Sequence, residues 1–307
     1  MNSSPVRLGT AYGIAAYALW GAFPLYFVLL REVPAVEVVA HRVLWSLVVC
    51  VIAVTVMRGW RQMRALVSWR LGGLLTLGAL LLATNWGIYV YSVASEQVNQ
   101  ASLGYFINPL VTVLLGVGVL HERLRRAQWV ALALGAVAVL VLTLGYGGLP
   151  WISLSLAITF GLYGLIKKMV GASLSALTGL AGETIALGPL AVAFVVWAEL
   201  SGNGHFTVNG ARSAVLLALS GAITVVPLLL FAASARRVPL SILGLLQYLT
   251  PVLQLLIAVV VLHEHMPAVR WAGFALVWAG LLVLTADSVV AGRAARPDQS
   301  EKILAKS

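Results

Sequence analysis

The chain has 307 residues, of which 61% are hydrophobic and only 10% are charged. A soluble domain has about 25% charged and about 45–50% apolar residues, so this composition predicts a polytopic membrane protein. The single cysteine, Cys50, excludes an internal disulfide framework and a cysteine-based zinc cluster. The net charge of +10 does not indicate a nucleic-acid partner, because the basic residues form short clusters between apolar runs.

Apolar runs long enough to cross a bilayer recur along the chain, since a transmembrane helix needs about 20 mostly apolar residues. Charge clusters and Gly or Pro residues divide the sequence into ten predicted spans. These cover residues 9–30, 36–57, 71–94, 101–120, 127–146, 151–168, 174–198, 211–234, 240–262 and 268–290. The first run is too long for the apolar region of a signal peptide, so we expect it to be retained. Residues 291–307 are polar and are predicted to form a disordered tail.

Lysine and arginine residues predict the orientation in the membrane. With the N-terminus in the cytoplasm, sixteen of the 20 basic residues fall in cytoplasmic segments and three in outer segments, while Arg42 lies inside a span. This bias follows the positive-inside rule. It predicts that residues 1–8 and the C-terminal tail are both cytoplasmic.

An internal repeat with an offset of 142 residues relates the stretches VLHERLRRAQW and VLHEHMPAVRW. The aligned residues include Pro109 with Pro251, His121-Glu122 with His263-Glu264, and Trp129 with Trp271. Residues 105–144 and 247–286 share 14 identities in 40 positions without a gap. Each half holds five predicted helices, so the second half enters the membrane inverted. The predicted fold is an all-α polytopic membrane protein with ten transmembrane helices, arranged as two inverted five-helix repeats over residues 9–146 and 147–290.

This arrangement, with Pro-x11-His-Glu in each half, resembles the EamA-type transporters of the drug/metabolite transporter superfamily. Three runs are more narrowly similar to RarD-type members: AHRVLWS at 40–46, TNWGIYVYSV at 84–93 and ASLGYFINPL at 101–110. The resemblance covers about residues 9–288. It implies an exporter or importer of small molecules in the bacterial inner membrane.

Two ionisable residues lie deep within predicted spans. Such residues cost about 2.5–3.5 kcal/mol on insertion scales and are functional candidates. At 1.5 Å per residue, Arg42 lies ~12 Å below the outer face and Glu183 ~15 Å above the inner face. We hypothesise that both face one central cavity, as an ion pair or as two poles of a site for an amphiphilic or zwitterionic cargo. In that hypothesis, Glu183 binds an amine or takes up a proton. The alternative is a structural ion pair. His41 points away from Arg42 and is interpreted as a packing residue, with a proton relay as the alternative.

Polar and aromatic residues on the third, fourth and ninth predicted helices complete the candidate substrate site. They are Asn85, Trp86, Tyr89, Tyr105, Asn108, Gln247, Tyr248 and Thr250. Pro109 and Pro251 each remove a backbone donor and free a carbonyl one turn earlier, which needs a partner at this depth. Aromatic, amide and hydroxyl groups suit a mixed apolar–polar cargo, whereas interhelical packing is the alternative. The aromatic residues Trp20, Phe23, Phe160 and Tyr163 either wall the same cavity or pack between helices.

Other function classes have little support in the sequence. It contains no GxSxG, HExxH or paired-acid motif, so we expect neither an enzyme nor a cofactor. We also expect no metal site, because His263 and His265 diverge by about 200° on a helix. The alternative is an extended segment, in which the two side chains could converge on a metal ion. A channel or a membrane sensor is the first alternative to a transporter, and a membrane-lipid enzyme is the second. The expected partners are a small-molecule substrate and the lipid bilayer, not nucleic acid. Coupling to protons or to exchange stays open. Gly135 and Gly280 predict either tight packing or a homodimer contact.

Overall fold

The computed structural model describes residues 3–63, 68–95, 98–146, 151–208 and 210–261, together with short helical pieces between 271 and 286. All regular elements in these residues are helical. The α-helices are α1 (Ser3–Phe27), α2 (Ala35–Val56), α3 (Trp60–Met63), α4 (Trp69–Ala94), α5 (Val98–Gly118), α6 (Arg126–Tyr146), α7 (Trp151–Val170), α8 (Ala176–Leu200), α9 (His205–Val208), α10 (Gly210–Ala235), α11 (Leu240–Leu246) and α12 (Leu249–Leu256). A 3-10 turn at Val28–Leu30 follows α1, and a π-helical turn at Ile257–Val261 follows α12.

Six of these helices are long and apolar enough to cross a membrane. They cover Pro5–Leu30, Ala35–Val56, Trp69–Tyr89, Trp151–Val170, Ala176–Leu200 and Gly210–Ala235. Shorter apolar helical stretches occur at Gly104–Gly118, Arg126–Val141 and Leu240–Gln254, where the fourth, fifth and ninth spans are predicted. The tenth predicted span and the tail at 291–307 lie mostly or wholly outside the described residues. The structure therefore shows an all-α membrane protein, and the count of ten spans stays a prediction.

The ninth predicted span is interrupted where its proline removes a backbone donor. The helix predicted over 240–262 is present in part and has a break at residues 247–248, because α11 ends at Leu246 and α12 begins at Leu249. Pro251 cannot donate to the carbonyl of Gln247, and the backbone N–H of Thr250 donates to it instead, at 3.1 Å. The equivalent Pro109, by contrast, lies inside the continuous helix α5.

The two halves of the chain pack into each other. Helices α1 and α2 contact α10, and α2 also contacts α8, while α5 packs on both α7 and α11. The largest buried cluster joins these halves through side chains that include Tyr17, Tyr163, Phe231, Leu240 and Leu243. Since the first half supplies some of these residues and the second half the others, the core depends on both halves.

The connections between helices meet at two ends of the molecule. One end, here called the α1–α2 end, includes Leu30–Ala35 and the start of α9, where Glu37 accepts a hydrogen bond from the backbone N–H of His205 at 2.7 Å. The other, here called the α5–α6 end, is held by charged side chains that bind backbone groups. Arg236 donates to the carbonyl of Gly171 at 2.8 Å, and Lys168 donates to the carbonyl of Val238.

Glu122 makes the most specific contact at the α5–α6 end. Its carboxylate oxygens accept hydrogen bonds from the backbone N–H groups of Leu240 at 2.7 Å and Ser241 at 2.8 Å. These are among the first N–H groups of α11, which have no partner within the helix, and Pro239 before them offers no side-chain cap. Glu122 of the repeated His-Glu pair therefore caps a helix of the other half. His263-Glu264 lies outside the described residues.

A close helix crossing gives a test of this packing. A Cβ atom at Gly221 of α10 would lie 2.6 Å from the carbonyl oxygen of Trp45 on α2. We expect Gly221→Ala to destabilise the protein by about 1–3 kcal/mol, because the backbone of α2 cannot move aside as a side-chain tip can. Thermal unfolding in detergent measures this. Gly73→Ala is the matched control, because a Cβ atom there meets nothing within 4 Å. An equal melting temperature for both variants would show that the crossing is looser.

Candidate functional site

A cavity of about 710 Å³ lies between the halves of the protein. Its size is that of a small-molecule site, for which about 300–1,000 Å³ is typical. The lining that lies among the helices is aromatic and amide-rich: Tyr17, Trp20, Phe23, Phe27, Arg42, Asn85, Trp86, Tyr89, Tyr105, Asn108, Phe160, Gln247, Thr250 and Gln254. The lining also reaches the exposed residues Arg31 and Glu32. The cavity therefore opens at the α1–α2 end.

Arg42 supplies the charge in the interior of this cavity. Its Nε donates a hydrogen bond to the hydroxyl of Thr224 at 3.0 Å. Its guanidinium carbon lies 4.6 Å from the ring centroid of Trp86, 5.4 Å from that of Phe27 and 5.8 Å from that of Phe23. These are cation–π distances. Among the described residues, no carboxylate forms an ion pair with Arg42. The guanidinium therefore has donors left for an anionic ligand.

Glu183 is not part of this cavity, contrary to the hypothesis that it faces Arg42. Its carboxylate forms an ion pair with Lys167 at 2.7 Å and accepts a hydrogen bond from the hydroxyl of Tyr163 at 3.2 Å. Glu183 is 1% exposed and Lys167 is 4% exposed. Lys167 lies in the last turn of α7, which directs its side chain into the protein. The ion pair of Glu183 thus joins α7 to α8 and does not include Arg42.

Seven of the eight predicted polar and aromatic residues line the cavity, but their polar atoms are not equally free. Asn85 donates to the carbonyl of Leu156 and to the hydroxyl of Thr159, both at 2.9 Å, so it holds α4 against α7. Thr250 donates to the carbonyl of Tyr17 at 3.0 Å. In contrast, Oδ1 of Asn108 and Nε2 of Gln247 are buried without a hydrogen-bond partner among the described residues. These two amides are the best placed for a polar group of a ligand.

Tyr248 is the exception, and its prediction as a cavity residue is wrong. It is 3% exposed and packs in a second core cluster between α5, α6 and α12. Its hydroxyl lies against Gly135, where a Cβ atom would collide with it. Adjacent residues of a helix point about 100° apart, so Gln247 faces the cavity while Tyr248 faces α6. Gly135 therefore serves packing inside the molecule, and so does Gly280, which lies against the backbone of Ala131.

The aromatic residues of α1 and α7 divide between the cavity and the core. Trp20, Phe23 and Phe160 line the cavity. Tyr163 instead stacks on Phe231, with ring centroids 6.0 Å apart and planes inclined by 10°. Trp20 and Phe160 also contact Phe231, so this ring joins the cavity wall to the core beneath it.

Sequence reasoning missed several lining residues, namely Tyr17, Phe27, Arg31, Glu32 and Gln254. Gln254 had a usable signal, because it is an amide within an apolar run three residues after Pro251. Its Nε2 lies 3.4 Å from the carbonyl of Trp20. Nothing in the sequence identified Tyr17 and Phe27 as cavity residues, because aromatic residues on membrane helices commonly serve packing.

Several apolar helices that enclose an aromatic and amide-lined cavity of ligand size define a multi-pass membrane protein with an internal cavity. The chain belongs to the EamA-like transporter family, which matches residues 7–144 and again residues 148–286. The resemblance seen in the sequence is confirmed, and the protein is a membrane transporter of this family.

Relatives and a solved structure agree with this assignment. The chain is 50% identical over 291 residues to Protein RarD of Streptomyces exfoliatus, covering 94% of this chain and 92% of that protein. It is 39% identical over 305 residues to the uncharacterized transporter YojE of Bacillus subtilis (strain 168), covering 96% and 99%. It is 31% identical over 287 residues to the chloramphenicol-sensitive protein RarD of Pseudomonas aeruginosa, covering 91% and 94%. A crystal structure with 20% identity has the same fold, with a TM-score of 0.70 over 94% of this chain and 99% of that chain.

The buried ion pair gives the second test. We expect Lys167→Met to cost about 3–5 kcal/mol of stability, because it leaves the buried carboxylate of Glu183 without its counter-charge. The double variant Lys167→Met with Glu183→Gln removes both charges and should regain most of that loss. Thermal unfolding of the purified protein measures both. If the double variant were as unstable as the single one, the loss would come from packing and not from charge.

Proposed function

We propose that this protein is a secondary transporter of the bacterial inner membrane, with ten spans in two inverted halves, and that its substrate site is the cavity around Arg42. One observation carries the proposal: a guanidinium within a membrane helix, unpaired with any described carboxylate, faces a ligand-sized cavity. A cation at this depth in a membrane helix costs free energy, so such a residue is usually functional. An enzyme has no support here, because the relatives are named as transporters.

The lining favours an amphiphilic cargo with an anionic group and an aromatic or otherwise planar apolar body. The anion would bind Arg42, and the apolar part would lie among Trp20, Trp86 and Phe160. The free amide atoms of Asn108 and Gln247 would bind a second polar group. Support for a zwitterion is weaker than the sequence indicated, because Lys167 already neutralises Glu183. The acid in the lining is Glu32, which is exposed at the mouth.

Alternating access is supported by the difference between the two ends. If the N-terminus is cytoplasmic, the α1–α2 end faces outward and the cavity is open to the outside. The α5–α6 end is then cytoplasmic and closed, with Glu122 capping α11. A carrier in one of its two states has such an arrangement, whereas an open channel would need access from both ends. The proposal covers efflux and uptake, since the same cycle runs in either direction.

The repeat offset of 142 residues suggests what the opposite state contains. It relates Glu122 to Glu264, and Leu240-Ser241 to Val98-Asn99 at the start of α5. In the proposed cycle, Glu122 releases α11 when the inner end opens.

Counterflow into proteoliposomes tests the substrate site. Aromatic carboxylates, aromatic amino acids and their uncharged amide analogues would be screened with the wild type, with and without a pH gradient. We expect saturable exchange that favours the carboxylates. Arg42→Ala should lower it roughly 30-fold or more, because loss of one partner of a buried charge pair costs about 2–5 kcal/mol.

The control for this experiment is Arg212→Ala, which removes an exposed arginine of α10. It should leave the exchange rate unchanged. Surface expression and melting temperature are compared for all variants, so that misfolding is distinguished from loss of binding. Equal exchange by Arg42→Ala and the wild type would contradict the assignment of the site, and conductance without saturation would favour a channel.

The closure by Glu122 can be tested with a single reporter cysteine. In a Cys50→Ser background with Asn108→Cys, a membrane-impermeant thiol reagent is applied from the cytoplasmic side. We expect Glu122→Gln to raise the labelling rate about fivefold, because a lost helix cap costs about 1 kcal/mol and the closed state loses that much. Arg123→Gln, at the exposed neighbour, is the control. Unchanged labelling in Glu122→Gln would show that this cap does not close the cytoplasmic end.

A further inference from the structure

A second group of ionisable side chains lies at the α1–α2 end, outside the cavity lining. Glu37 and His41 are one turn apart near the start of α2, and Glu199 lies in the last turn of α8. One ligand atom from each of these three residues can be chosen so that all lie within 4.8 Å of one another. The Nε2 atom of His41 is 3.9 Å from Oε1 of Glu37. Glu37 is 3% exposed and His41 is 1% exposed, so this cluster is withdrawn from water.

The imidazole of His41 is the unusual member of this cluster. Neither of its ring nitrogens has a hydrogen-bond partner among the described residues. A buried polar group without a partner costs about 1–3 kcal/mol, so native proteins rarely leave one. The ring is fixed in place by stacking on Phe206, with centroids 5.1 Å apart and planes inclined by 15°. A fixed imidazole without a hydrogen-bond partner in the described part of the chain, beside two carboxylates, is a set of metal-ligand groups.

We propose that Glu37, His41 and Glu199 bind a divalent cation, with zinc as the best match. Imidazole nitrogen and carboxylate oxygen are both zinc ligands, and three protein ligands plus water complete a tetrahedral site. Two carboxylates neutralise the charge of the ion. Zinc–ligand distances of about 2.0–2.2 Å place ligand atoms roughly 3.3–3.5 Å apart, so the three side chains close by about 1 Å on binding.

His205 positions Glu37 in this site. Its ring Nδ1 and its backbone N–H both lie 2.7 Å from the carboxylate oxygens of Glu37. Carboxylates that bind metal ions are commonly held by such outer hydrogen bonds. Glu199 is held in the same way, by the backbone N–H of Phe206 at 3.2 Å and by the hydroxyl of Thr207. Both acids are therefore oriented before the ion binds, by residues 205–207.

The experiment uses the full-length protein in detergent, with any affinity tag removed and metals stripped by a chelator. Zn²⁺ is titrated by calorimetry, and Co²⁺ is used as a probe because its visible absorption reports tetrahedral coordination. We expect one ion per chain, with micromolar or tighter binding, and a rise in melting temperature with Zn²⁺. His41→Asn and Glu199→Gln should each weaken binding at least about tenfold. His205→Gln should weaken it less, because it removes an orienting group and not a ligand.

His121→Asn is the matched control. His121 is exposed at the opposite end of the protein and has a backbone φ of 54°, which asparagine tolerates. It should bind Zn²⁺ like the wild type. Absence of binding, binding only at millimolar concentrations, or equal affinity in the His41, Glu199 and His121 variants would overturn the proposal. If no metal binds, the melting temperature of the wild type and of His41→Asn is measured against pH. A pH dependence that is present in the wild type and lost in His41→Asn would identify a histidine–carboxylate ion pair in place of the metal site.

Discussion

A charge that is buried within a membrane helix must be neutralised or solvated by the protein, because lipid does neither. Two cations in this chain meet that requirement differently. Lys167 is paired with Glu183 and covered by Tyr163, which locks α7 and α8 together. Arg42 has one hydroxyl partner and three aromatic faces. The Lys167–Glu183 pair leaves no charge uncompensated, whereas Arg42 keeps charge available, and this difference supports the proposed substrate site at Arg42.

Backbone polar groups impose the same requirement at helix ends and breaks. At the α5–α6 end, charged side chains bind backbone atoms: Glu122 binds the first N–H groups of α11, Lys168 the carbonyl of Val238, and Arg236 that of Gly171. Charged side chains therefore close this end of the structure by binding backbone groups. Each of these contacts joins two different connections between helices. Several contacts would therefore have to break together for this end to open.

The sequence predicted most of the fold because apolar runs and proline chemistry act locally. It located the long helices, the carbonyl freed by Pro251, and Arg42 as a charge within a membrane-spanning helix. It failed where the outcome depends on which way a side chain points. Lys167 was not identified as the partner of Glu183, because nothing in the sequence shows that the last turn of α7 faces α8 and not water. Tyr248 was predicted to line the cavity together with its neighbour Gln247. The sequence does not show that α6 packs against the face that carries Tyr248. Glu183 was identified correctly as buried, but its partner lay 16 residues earlier in the chain and not in the other half.

The first two turns of α2 carry both proposed sites. His41 and Arg42 are adjacent, and an angle of about 100° between them directs one toward Glu199 on α8 and the other into the cavity. An ion held by Glu37, His41 and Glu199 would tie α2 to α8. If the transport cycle moves α2 relative to α8, the ion must favour the state in which these helices stay together. The coupling free energy between two binding sites is reciprocal. A cargo that selects the same state would then bind more tightly with the ion present, and the ion would bind more tightly with the cargo present. If α2 and α8 move as one body, the ion would stabilise both states equally and would leave cargo affinity unchanged.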